Sequence, residues 1–83
     1  MSDNNKLAIL SFISSNAGPG EPARLSFHTL GKELGLSKMQ LDTLLTELNK
    51  GRFISKYAKK GVDGFTVEIN QKGMDAIEDQ SFI

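Results

Sequence analysis

Five basic side chains, Lys50, Arg52, Lys56, Lys59 and Lys60, fall in the stretch 50–60, which contains no acid. A run of this kind can neutralise phosphates, and each phosphate neutralised makes log affinity fall with log salt at a slope of about 0.9. Upstream, Lys38, Met39, Gln40, Thr43 and Thr46 offer a second chemistry. Lysine can contact guanine or phosphate, glutamine can pair with adenine, and methionine or threonine can meet a thymine methyl. Catalysis finds no foothold. There is no cysteine, His28 is the only histidine, and no nucleophile stands beside a base. No metal-ligand cluster and no glycine-rich phosphate loop appears either, so the expectation is a protein that is not an enzyme, with no cofactor and no metal.

These side chains need a helix and a hairpin to hold them. Leu41, Leu44, Leu45 and Leu48 recur at helical spacing and make one apolar stripe. Ser37 before them and Gln40 form a capping box in sequence, with Leu36 and Leu41 placed for a hydrophobic staple. Gly51 is expected to end this helix in the left-handed conformation, with Lys50 favourably placed in its last turn. Beyond it the period becomes alternating. Phe53, Ser55 and Tyr57, then Phe65, Val67 and Ile69, predict a hairpin with one apolar face and a tip at 59–64.

The rest of the chain supplies three more helices. Asp3 or Asn4 can cap a first helix from about Lys6 to Ser15, apolar over more than half its circumference and therefore covered on more than one side. Gly18, Pro19, Gly20 and Pro22 make a loop. Leu25 can pair as a short strand with the hairpin. Ser26 caps a second helix from Phe27 to Leu34, closed by Gly35, in which Gly31 predicts a closely packed neighbouring backbone. Asn70 caps a last helix over 71–80, with Met74 and Ile77 inward and Asp75, Glu78 and Asp79 outward. The 83 residues make one domain, 1–83, with ten basic and ten acidic side chains in balance. The short apolar run near Lys6 follows an acid and is needed for the core, so it does not read as an export signal. With no membrane segment, the cytoplasm is the expected location.

The order helix, helix, helix, hairpin, helix, with the turn Leu34, Gly35, Leu36, Ser37, resembles the winged helix-turn-helix family of bacterial and phage DNA-binding regulators. The spaced aliphatics ending in glycine and a hydrophobic pair, Leu41, Leu44, Leu45, Leu48, Gly51, Phe53 and Ile54, are similar to the family's pattern. So is the opening Asn70, Gln71, Lys72, Gly73 after the hairpin. The resemblance spans roughly Leu7 to Asp79. It implies a mainly α fold with a three-helix core, a β wing and a C-terminal helix. It further implies a transcriptional regulator that sets the helix 37–50 in the major groove of double-stranded DNA. Ser37, Lys38, Met39, Gln40 and Thr43 would then face the bases. Lys50, Arg52, Lys56, Lys59 and Lys60 would serve the phosphates.

Other uses of the same residues stay open. Gln40 can be consumed by its capping box, Lys59 and Lys60 can simply keep a hairpin soluble, and His28 suits a first-turn surface position. Winged helices also serve as docking units, and Met39, Asp42, Thr43 and Glu47 suit a protein surface as well as a groove. A homodimer through the helix 6–15 and the apolar end Phe82 and Ile83 is the further expectation. No small-molecule ligand is indicated.

Overall fold

The computed structural model describes residues 2–82 and contains four helices and a three-stranded antiparallel sheet. Helix α1 (Ser2–Asn16) begins earlier than expected, so Asp3 and Asn4 lie inside its first turn and do not cap it. Asp3 is well placed there against the positive end of the helix dipole. Ile9, Leu10 and Ile13 are fully buried, and Leu7 and Phe12 are partly buried against the core. A helix this apolar finds cover on several sides, from α2, α3, α4 and two strands.

Strand β1 (Pro22–Ser26) contains the Leu25 segment that the sequence placed against the hairpin. Ser26 then caps α2 (Phe27–Leu34), its hydroxyl accepting from Thr29 N–H at 3.0 Å. The turn after α2 folds tightly. Gly35 takes φ +70, and the amides of Gly35 and Leu36 both donate to the Gly31 carbonyl, at 2.7 and 3.1 Å. A β-carbon on Gly31 would lie 2.6 Å from the Leu36 carbonyl oxygen, so only glycine lets the turn close.

Helix α3 (Lys38–Lys50) opens with the full capping box: Gln40 N–H donates to Ser37 Oγ at 3.1 Å and Ser37 N–H to Gln40 Oε1 at 2.9 Å. Its four stripe leucines are all buried. The helix does not end as expected. Gly51 is right-handed (φ −80), and the left-handed residue is Arg52 at φ +65. Gly51 is required for space instead, since a β-carbon there would come within 2.9 Å of the Phe53 ring.

Strands β2 (Ile54–Lys60) and β3 (Gly64–Ile69) form the hairpin, and β3 is the central strand of the order β1-β3-β2. Phe65, Val67 and Ile69 turn into the core. The simple alternation expected for β2 fails in its middle. Ile54 pairs with Ile69 and Ser55 with Glu68, but Ala58 pairs with Thr66, so one extra residue is accommodated, with Lys56 at φ +55. Such a bulge reverses which side chains face the core from that point on. Tyr57 and Lys59 therefore point to the helices, and Ala58 and Lys60 to the open face.

Helix α4 (Gln71–Asp79) follows Asn70, whose backbone has cap geometry but whose side chain makes no cap bond. The amide instead donates to the Arg52 carbonyl at 2.9 Å and accepts from Ser55 Oγ at 3.0 Å, tying the start of β2 to the start of α4. Gly73 is buried where a β-carbon would collide with the Phe53 carbonyl.

Candidate nucleic-acid interface

Because α3 turns its leucines inward, its other face is open. Met39 is 80% exposed, and Gln40, Thr43, Thr46 and Lys50 are exposed beside it. Glu47, on the same helix, is drawn into an ion pair with Lys6 of α1 at 2.9 Å. Ser37 and Gln40 occupy the start of this face, with the Ser37 hydroxyl and the Gln40 carbonyl oxygen committed to the cap. Gln40 uses its carbonyl oxygen there, so a two-point contact with adenine would have to break the capping box.

Lys38 is a bracket between α3 and the hairpin tip. Its ammonium donates to the Val62 carbonyl at 2.9 Å and lies 5.3 Å from the centre of the Phe27 ring. The tip is tied down a second time by Asp63. The Asp63 carbonyl accepts from Phe27 N–H at 2.9 Å and its carboxylate accepts from His28 N–H at 3.0 Å, serving the first turn of α2. Val62, between these two anchors, is 93% exposed. His28 is exposed in the first turn of α2, as its position suggested.

The adjacent lysines of the hairpin have different surroundings. Lys59 faces α3 and pairs with Asp42 at 3.2 Å, while the Tyr57 hydroxyl donates to the other Asp42 oxygen at 2.6 Å. The Tyr57 bond, aided by Lys59, holds the Asp42 carboxyl below its ordinary range against the opposing effect of burial. Burial and the Asp42 charge together push the Tyr57 phenol well above its usual value. Lys60 lies on the open face of the sheet with no side-chain partner among the described residues. Lys56 pairs with Glu68 across the sheet at 3.3 Å.

The structure therefore gathers Lys38, Met39, Gln40, Thr43 and Lys50 on one side of α3, with Arg52 exposed in the turn that follows. It does not bring Lys56 and Lys60 to that side. Sequence reasoning missed Asp63 and the Asp42–Tyr57 pair. Asp63 read only as a turn residue, and no local pattern links it to His28, 35 residues earlier in the first turn of α2. The apolar end expected at a dimer surface is engaged within the chain: the Phe82 ring meets Phe53 edge-on at 4.9 Å between centres. Ile83 lies outside the described residues.

No helix among the described residues is long and apolar enough to cross a membrane. Comparison of the chain with protein-family models, curated proteins and solved structures finds no match.

Proposed function

We propose that this chain is a winged-helix DNA-binding domain of the regulatory kind, acting without catalysis in the cytoplasm, with α3 in the major groove and the hairpin tip beside it. The observation that supports this best is the join between the two. Lys38 and Asp63 hold the tip against the starts of α3 and α2, so Met39, Thr43 and Val62 are presented on one prearranged surface. A surface fixed before binding loses little entropy when it docks. The element order and the sheet order β1-β3-β2 agree with the winged arrangement that the sequence resembles.

Affinity would come from cations near α3 that still have N–H groups to give. Lys50 and Arg52 beside α3 have no side-chain partner among the described residues, and Lys38, although it donates to the Val62 carbonyl, keeps N–H groups to spare. Three phosphate contacts would give a salt slope of roughly −2.7 and weak binding per copy, so specific binding calls for two copies on one site. Anisotropy of a labelled duplex, titrated from low to physiological salt, tests this. Binding should weaken at that slope and be lost when Thr43→Glu and Lys50→Glu are combined; an unchanged affinity in that variant would remove α3 from the interface.

A second reading is favoured by one specific feature. The two large apolar side chains most exposed among the described residues, Met39 and Val62, both flank the Lys38 bracket, which suits a protein-docking face. No duplex binding at low salt, together with partner binding lost on Met39→Glu, would select it.

A further inference from the structure

The two edges of the sheet are built differently. Along β2 the bulge and the positive φ of Lys56 break up the row of free backbone groups, a common way to keep an exposed edge from pairing. β1 has no such interruption, and its register with β3 is continuous from Pro22 to Ser26. Phe27 N–H donates to the Asp63 carbonyl, so Ala23 and Leu25, in phase with Phe27, turn their backbone groups towards β3. Arg24, between them, turns its N–H and C=O to the free edge.

An open groove of about 580 Å³ begins at β1 and crosses β3 to the end of β2. Phe12, Leu25 and Phe65 give it an apolar floor, and Arg24 and Lys60 stand among its lining with Gly64 adding no side chain. Neither cation has a side-chain partner among the described residues, and no acid lines the groove. A small molecule would leave much of its surface in water here, whereas small-molecule sites bury most of their ligand. A peptide strand needs no enclosure, because main-chain hydrogen bonds along the edge supply its affinity.

We propose that the free edge of β1 takes an extended acidic peptide segment of a partner protein. Strand alternation sets its pattern: acidic side chains on the face of Arg24 and Lys60, apolar ones over Phe12 and Leu25. No residue of α3 takes part, so this site stands or falls independently of DNA binding.

The test is a titration of the isotope-labelled full chain with a synthetic peptide of alternating glutamate and valine, followed by amide chemical shifts and hydrogen exchange. A control peptide has the same composition with its glutamates clustered. The alternating peptide should shift the amides of 23–26 and Phe12 and slow exchange at Arg24. Combining Arg24→Glu with Lys60→Glu should weaken it about tenfold or more. Arg24→Pro, which removes the outward N–H together with the guanidinium and is tolerated at an edge, should weaken it more than Arg24→Ala, which removes the guanidinium alone. Equal binding of the clustered peptide, no shift along β1, or shifts confined to α3 or α4 would overturn the proposal. So would a duplex that shifts the same β1 amides, since the groove would then be a polyanion site.

Discussion

Replacing Asp42 with alanine should be visible in a single chromophore. Tyr57 is the only tyrosine and there is no tryptophan, so tyrosinate absorbance reports that one phenol. In the wild type it should ionise well above the ordinary pKa of about 10, because burial and the Asp42 charge both oppose its ionisation. Asp42→Ala should bring it down towards that value without reaching it, since burial is the larger cause and remains. The stability change follows from the same contacts. A hydrogen bond to a charged group contributes about 1.5–3 kcal/mol, and the Asp42 side chain, at 36% exposed, is wet enough to discount this to about 1 kcal/mol. The exposed Lys59 pair adds about 0–1 kcal/mol. A loss of about 1–2 kcal/mol should lower Tm by about 4–16 °C in a domain of this size. The pH dependence has a definite sign at each end. The raised Tyr57 pKa contributes stability fully present below about pH 10, lost as pH rises through the folded-state value; the depressed Asp42 pKa contributes stability present above about pH 4, lost as pH falls through its folded-state value. A wild-type tyrosine that titrates at its ordinary value, or one indifferent to Asp42→Ala, would refute the clamp between α3 and β2.

Other substitutions separate competing effects. Gly31→Ala should destabilise by about 1–2 kcal/mol in denaturant melts even though alanine is the better helix former by about 1 kcal/mol, because its β-carbon would meet the Leu36 carbonyl at 2.6 Å; a stabilised variant would contradict that contact. Lys50→Ala should flatten the salt slope of duplex binding by about 0.9, while Lys59→Ala should leave it nearly unchanged because Asp42 already holds that ammonium; equal effects would overturn the distinction. Phe82→Ala should lower thermal stability by about 1–2 kcal/mol through loss of its packing on Phe53. An unchanged Tm with a loss of self-association in sedimentation would place Phe82 at a dimer contact instead.

The parts of this fold that were legible in the sequence are those set by local rules. The leucine stripe of α3, its capping box, the Ser26 cap and the crowding at Gly31 each depend on residues within a few positions of one another. The strand at Leu25 was anticipated only as a short segment that could pair with the hairpin. The misread features depend on distant neighbours. Gly51 looked like a left-handed terminator, but the Phe53 ring needed its space and the positive φ moved to Arg52. Asn70 looked like a side-chain cap, yet Arg52 and Ser55 take up its amide. The largest consequence for the candidate site came from the bulge near Lys56. Unbroken alternation from Ile54 would have turned Lys60 towards the helices and Lys59 away; the extra residue exchanges them and delivers Lys59 to Asp42. Alternation of residue types does not show where a strand admits an extra residue.

The most direct test of the proposed DNA-binding face is amide chemical-shift mapping of the labelled protein with a short duplex at low salt. Shifts should concentrate at Lys38, Met39, Thr43 and Lys50 and at the tip residues Gly61–Asp63, and fade together as salt is raised. Shifts centred on α4 or on the open face of the sheet, or none at all, would contradict it.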